Sequence, residues 1–307
     1  MPTKNKPMKM MKRDCPICGL GKSNRVHTEA DFDLKKLDKF AFSSRKIPEY
    51  MHYRLLVCDG CGLLYANPAP APRKIAAAYD EAAFESTQEA HYAARTYGRF
   101  LPSILLNIPD QKGALDIGTG DGAFLEELVK KGFTGVVGAE PSRAPILAAK
   151  KEIRPLIRHG LFSAKNFKKN SLSLVTCFQT LEHVYDPSQT CREAYQILKK
   201  RGAFFAVCHN RLSLSNRLLG KKSPIFDIEH LQLFSPESAR LLFEKAGFAE
   251  VEVKTVFNSY PIHYWVKMFP FPSGIKSTLI KFLKFVGIGH IPFFLPAGNM
   301  AVIGYKV

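Results

Sequence analysis

Two carboxylates and a run of glycines between positions 114 and 140 have the spacing of a small-molecule cradle. In Ala114-Leu115-Asp116-Ile117-Gly118-Thr119-Gly120-Asp121-Gly122 an apolar strand ends in a turn whose glycines let the backbone approach a ligand with no side chain in the way. A helix is predicted directly after it, over Gly122 to Lys131. Glu140 closes the next apolar strand, 24 positions beyond Asp116, where a carboxylate can accept hydrogen bonds from both ribose hydroxyls of a nucleoside. Gly118, Gly120 and Ala123 also satisfy the dinucleotide pattern G-x-G-x-x-G/A, so the glycines alone do not choose a ligand. Asp116 discriminates: a carboxylate at the strand end repels a pyrophosphate and attracts an ammonium group, which favours a cationic amino-acid cofactor.

A second constellation lies upstream. Cys15-Pro-Ile-Cys18-Gly and Cys58-Asp-Gly-Cys61-Gly are two C-x-x-C-G knuckles separated by 39 residues. Four thiolates satisfy tetrahedral zinc, and the spacing suits a zinc-ribbon-like module with an inserted loop. A redox C-x-x-C needs only one such pair on a thioredoxin-like unit. Seven cysteines are an odd number, which speaks against a disulfide framework. Cys177, Cys191 and Cys208 lie in or beside apolar elements and read as core.

The elements that position these residues follow from patterning. Residues 1–14 are lysine-rich and aperiodic and read as a mobile basic tail; residues 15–72 read as the cysteine module ending in a stiff linker, Asn67-Pro68-Ala69-Pro70-Ala71-Pro72. Residues 73–105 read as helical. Apolar strands are predicted at Ala114 to Ile117, Gly135 to Ala139, Leu172 to Phe178 and Ala203 to Cys208, with later strands at Glu250 to Phe257 and Met300 to Lys306. Helices are predicted at Ala144 to Lys151, Pro187 to Lys199 and Pro236 to Ala246. That alternation specifies an α/β sheet with helices on both faces.

From residue 75 to 307 the chain resembles the class I S-adenosylmethionine-dependent methyltransferases, which have a Rossmann-like sheet. The resemblance rests on Leu115-Asp-Ile-Gly-Thr-Gly-Asp-Gly122, Gly138-Ala-Glu-Pro-Ser142, Gln179-Thr-Leu-Glu-His-Val-Tyr-Asp-Pro187, Glu229-His-Leu-Gln-Leu-Phe-Ser235 and Ala246-Gly-Phe248. It implies that Asp116, Ile117, Gly118, Thr119, Gly120 and Gly122 surround the methionine part of S-adenosylmethionine, that Glu140 holds the ribose, that Phe162 flanks the adenine and that Gln179 stands beside the methyl donor. Ser173 and Lys200-Arg201-Gly202-Ala203 depart from the family's usual aspartate and Pro-Gly-Gly turn. Zinc knuckles before such a domain resemble those of methyltransferases acting on sugars, surface glycans and other secondary products.

Methyl transfer needs alignment, plus a base when the acceptor is a hydroxyl or an acidic carbon. The resemblance puts His183 after the fourth strand and His230 in an acceptor-side lid, so these two are the candidate bases. Fixing of the loop by Glu182 and His183 is the bland reading, and a divalent ion held by Glu182, His183, Glu229 and His230 is the less expected one. The expected acceptor is a small molecule: a sugar, a lipid-linked glycan or another metabolite. Net charge +17 and a pI of about 9.6 favour anionic partners. They keep nucleic acid, and hence an RNA methyltransferase, as the alternative, although basic and acidic residues are interspersed after residue 30 and no RNA-binding module is recognisable. A zinc-dependent binding protein with a degenerate methyltransferase fold is the second alternative; the intact Asp116, glycines and Glu140 oppose it. No leader-like or membrane-spanning stretch is recognisable, which predicts a cytoplasmic protein. The segment from Thr255 to Ala297 has four lysines and no acidic residue. It is read as an insertion that packs on the sheet or covers the acceptor pocket. The competing reading is a basic helix, Ile275 to Val286, meeting an anionic membrane surface at the inner face, with Lys281, Lys284 and Ser277 opposite Ile275, Leu279, Phe282 and Val286. The sequence leaves the oligomeric state open.

Overall fold

A computed structural model describes residues 10–19, 21, 24–32, 50–82, 84, 87–269 and 272–307. The apolar strands form a seven-stranded sheet of β1 (Lys112–Ile117), β2 (Thr134–Glu140), β3 (Ile157–His159), β4 (Leu172–Phe178), β5 (Leu198–His209), β6 (Ala249–Pro261) and β7 (Pro292–Tyr305). Their order is β3-β2-β1-β4-β5-β7-β6, with β1 to β5 parallel and β7 antiparallel to both neighbours. This is the α/β, Rossmann-like methyltransferase sheet that the resemblance implies. β3 is missing from the strands read off the sequence, because three residues give too short an alternation to register.

Side chains alternate between two apolar layers. Leu115, Val175 and Phe204 pack with the helices Pro187–Ile197 and Pro236–Lys245, while Ala114, Leu174 and Phe205 pack with Thr87–Gly98 and Ala123–Lys130. Local chemistry starts the first pair of helices where it should: Asp186 accepts the Gln189 amide ahead of Pro187, and Ser235 forms a capping box with Ser238 ahead of Pro236. Cys177, Cys191 and Cys208 are buried in the first layer. The chain runs outward from β1 through β3, then returns to β4 on the other side of β1. The carboxyl ends of β1 and β4 therefore flank the topological switch point, where open α/β sheets bind ligands.

The cysteine segment builds a second, four-stranded antiparallel sheet in the order Gln232–Leu233, Leu64–Ala66, Leu55–Cys58, Asn24–Thr28. Its first strand comes from the lid of the larger sheet's domain. Two readings near the N-terminus need correction. Residues 1–9 lie outside the described residues, but Met10–Met11 pair with Ala69–Pro70, inside the stretch read as a linker. Arg13, read as part of a solvated tail, is half-buried and donates to the carbonyls of Ala66, Tyr185 and Leu231 at 3.0, 2.9 and 2.7 Å. Lysine density hid a segment anchored by one guanidinium with five fixed donors. Among the described residues no helix is long and apolar enough to cross a membrane.

Candidate functional site

A cavity of about 970 Å³ opens over the carboxyl ends of β1, β2 and β4. Asp116, Ile117, Gly118, Thr119, Gly120, Glu140, Phe162 and Gln179 all line it, as do His183 and His230. Gly122 does not. It has φ +76, and a Cβ there would collide with Ile153, so its role is to turn the chain into the helix Ala123–Lys130.

Asp116 is buried, and its Oδ1 accepts from Thr176 Oγ1 at 2.6 Å. Burial raises its pKa to about 6 against the opposing pull of its threonine hydrogen bonds. Glu140 is also buried; Oε2 accepts the Gly120 amide and Oε1 the Ser142 amide, each at 2.8 Å. Desolvation raises its pKa too. The amides of Gly118 and Thr119 bond to the Ala139 carbonyl at 2.8 and 3.2 Å, so the turn is stitched to the end of β2 at three successive positions. Gly120, at φ +59, would aim a Cβ into open space, whereas a Cβ on Gly118 would strike Thr180. Gln179 holds φ +50 at the end of β4, and among the described residues its buried Nε2 has no hydrogen-bond partner. Backbone strain and an orphaned amide at one residue mark a place prepared for a ligand.

The far side of the cavity is built from distant segments. Tyr79, on the helix Pro72–Asp80, has its hydroxyl 2.7 Å from His183 Nδ1. Glu229 Oε2 lies 3.8 Å from the same nitrogen, and the His183 and His230 rings are 4.8 Å apart. His230 Nδ1 is 2.8 Å from the Ile225 carbonyl, which requires a proton on Nδ1 and leaves Nε2 as the acceptor nitrogen. His209, at the end of β5, packs against His230 and bonds Asn299 Oδ1 through Nδ1 at 2.8 Å; burial drops its pKa to about 3, so its ring stays neutral. Donor atoms of His183, Glu229 and His230 come within 4.8 Å of one another. Glu182 is absent from that group: it is fully buried, with Oε1 accepting the His209 amide at 2.6 Å and its carbonyl accepting the Leu231 amide at 2.8 Å. Tyr79, His209 and Asn299 escaped sequence reasoning because each lies in a different element and belongs to no local motif.

The four cysteines converge as their spacing requires. Cys15 Sγ is 3.5 Å from Cys61 Sγ, and Cys18 Sγ is 3.3 Å from Cys58 Sγ. Four sulfurs 2.3 Å from a tetrahedral metal stand about 3.8 Å apart, so small outward shifts would seat zinc. Gly19 and Gly62, at φ +69 and +70, close the two knuckle turns on the carbonyls of Cys15 and Cys58. The Cys61 hydrogen bond and backbone amides pull the Cys15 thiol down to about 5.

A family model described as "Methyltransferase domain" matches residues 89–253. A probable S-adenosylmethionine-dependent methyltransferase of Mycolicibacterium smegmatis is 27% identical over 148 residues, which is 48% of this chain and 56% of that protein. A ubiquinone biosynthesis O-methyltransferase of Pseudomonas entomophila is 31% identical over 109 residues, covering 33% of this chain and 45% of that protein. The chain thus spans about half the length of the curated relatives it matches. A solved SAM-dependent methyltransferase from Archaeoglobus fulgidus superposes with a TM-score of 0.47 at 17% identity, over 69% of this chain and 93% of that one.

Proposed function

The chain belongs to the methyltransferase-domain family, and from that premise we propose that it transfers a methyl group from S-adenosylmethionine to a small-molecule acceptor. One observation carries this reading: two buried carboxylates, Asp116 and Glu140, end adjacent parallel strands in one cavity, with Gly120 leaving open space between backbone and ligand. The donor set fits the cofactor. Asp116 meets the ammonium, Glu140 retains lone pairs for ribose hydroxyls, Phe162 lies against the adenine, and Gln179 offers its unpartnered amide. When bound, S-adenosylmethionine supplies a methyl group already activated on a sulfonium. Calorimetric titration with S-adenosylmethionine tests the assignment. Wild-type protein should bind, an Asp116→Ala/Glu140→Ala variant should not, and undiminished binding by that variant sinks the proposal.

The acceptor meets the opposite wall. His230 is the better-placed base, because its Nδ1 proton is committed to the Ile225 carbonyl and the opposite nitrogen can take a proton. His183, engaged by the Tyr79 hydroxyl, orients the wall. If His183→Ala and His230→Ala both retain full turnover, neither nitrogen moves the proton. At about 970 Å³ the cavity lies near the top of the ligand-pocket range of roughly 300–1,000 Å³. Its wall carries aromatic and aliphatic side chains such as Tyr97, Phe124, Phe178, Tyr260 and Trp265 beside further carboxylates, Asp121, Asp186, Glu193, Asp227 and Glu229, and that density of negative charge supports a sugar, lipid-linked glycan or similar metabolite over the phosphate backbone of an RNA strand. Cys15, Cys18, Cys58 and Cys61 hold a structural zinc in this reading. Metal analysis of protein never exposed to chelator should return about one zinc per chain, and far less removes the metal from the proposal.

A further inference from the structure

The segment between β6 and β7 divides its work. Tyr264 and Trp265, on the helix Ile262–Met268, and Leu295 and Pro296, in β7, line the cavity. The next helix, Ser273–Phe285, packs on Ile262–Met268. Leu283 is its buried residue, while Ile275, Phe282 and Phe285 are 59%, 57% and 90% exposed and Val286 just beyond is exposed too. Lys281 and Lys284 flank that stripe. With Lys276 they have no carboxylate partner among the described residues, and Lys267, which does, reaches back to Glu89 at 3.7 Å. The strand that follows adds exposed Ile291, Phe293 and Phe294.

A second segment repeats the combination across the same cavity. The helix Leu214–Leu219 lines it with Leu214, Leu218 and Leu219, yet Leu214 and Leu218 are 73% and 78% exposed. Arg217, Lys221 and Lys222 stand exposed beside them, and no acidic residue occurs between 210 and 226. A helix that lines the cavity, Leu214–Leu219, and a helix packed on another of its walls, Ser273–Phe285, therefore present bare aliphatic and aromatic side chains next to cations with no carboxylate partner among the described residues. Monomers rarely leave such a surface uncovered. A protein groove would satisfy the apolar groups, but the surrounding band of positive charge without counter-charge matches an anionic lipid headgroup layer over acyl chains. Lysine stems can lie along the apolar layer while their ammonium groups stay in the headgroups.

We propose that the helix Ser273–Phe285 and the helix Leu214–Leu219 dock the protein on an anionic bilayer surface, with the cavity opening toward the lipid. Docking stands independently of the methyl-transfer reading. Delivery of a lipid-borne acceptor from the bilayer into the cavity rests on that reading.

Flotation of the full chain with vesicles separates the two. The protein should float with phosphatidylcholine vesicles containing phosphatidylglycerol and far less with phosphatidylcholine alone, and salt should weaken the binding. Lys276→Gln/Lys281→Gln/Lys284→Gln should reduce the partition coefficient about fivefold per lysine. Phe282→Ser/Phe285→Ser should abolish the retention that survives high salt, with S-adenosylmethionine binding and melting temperature unchanged. Failure of the wild-type chain to float with either vesicle overturns the proposal. So does unchanged flotation of the phenylalanine variant, or a dimer that this variant splits while no vesicle is bound. Loss of turnover with flotation intact would instead count against the methyl-transfer reading alone.

Discussion

The two walls of the cavity are built on opposite principles. The cofactor wall comes from one continuous stretch, β1, the glycine turn and β2, and its hydrogen bonds are mostly backbone: Gly118 and Thr119 to the Ala139 carbonyl, Gly120 to Glu140. The wall proposed to meet the acceptor joins Tyr79, His183, His209, Glu229 with His230, and Asn299 from five separate places, tied by side chains and by the cysteine module behind them. A wall fixed by local backbone tolerates changes elsewhere. A wall assembled at long range depends on every element that meets in it.

Breaking the four-cysteine cluster should separate the walls most strongly. The module strand Leu64–Ala66 pairs with Gln232–Leu233, two residues beyond His230, and Arg13 crosses from the module to the Leu231 carbonyl. A Cys18→Ser/Cys61→Ser variant should lose the zinc proposed above and, because structural zinc contributes on the order of 10 kcal/mol to small modules, unfold the cysteine sheet. Methyl transfer to any acceptor should then fall at least a hundredfold, about 3 kcal/mol in barrier. S-adenosylmethionine binding measured by calorimetry should stay within about threefold of wild type. Equal loss of both would show that the walls are one unit.

The same contrast explains what could be read from the sequence. Asp116, the glycines and Glu140 lie within 25 residues, so strand periodicity and turn chemistry placed them together. The two C-x-x-C-G knuckles were legible because metal geometry constrains spacing on each knuckle by itself. His183 and His230 were found through motifs, but their partners were not: nothing in the helix Pro72–Asp80 announces that Tyr79 reaches a histidine 104 positions away. The lid strand Gln232–Leu233 is two residues long and pairs with a different sheet, so no pattern within it could reveal the pairing. In Ser273–Phe285 helical periodicity found the apolar stripe but could not say whether another element covers it; Ile275, Phe282 and Val286 stand exposed.

A titration should sharpen the description of the cofactor wall. Burial holds the Asp116 carboxyl at about 6, so in the unliganded protein it takes up a proton as pH falls through that value. In the proposed binding mode the cofactor's ammonium needs the carboxylate, so binding below about pH 6 must expel that proton. Affinity for S-adenosylmethionine should therefore be flat from neutral pH down to about 6 and then fall about tenfold per unit. Calorimetry in buffers of differing ionisation enthalpy should show proton release only in the acidic range. An affinity independent of pH down to 5 would place the ammonium elsewhere.

The smallest effect lies on the seam between the walls. Glu182 joins them, its carboxylate on the His209 amide and its carbonyl on the Leu231 amide. Full burial lifts its pKa to about 8, well above the value near 4.5 of an unfolded glutamate. With the folded pKa raised, the stability associated with the protonated form is complete below about pH 4.5 and is lost as pH rises through about 8. Glu182→Gln keeps a carbonyl for the His209 amide and carries no charge at any pH. The variant should melt within a degree of wild type near pH 4.5 and at a clearly higher temperature than wild type at pH 9. Its Nε2 amide group takes the position of Oε2, which has no hydrogen-bond partner among the described residues, and the side chain keeps its shape. A pH-independent difference in melting temperature would mean that Glu182 acts through shape alone, and that no buried charge strains the joint between the two walls.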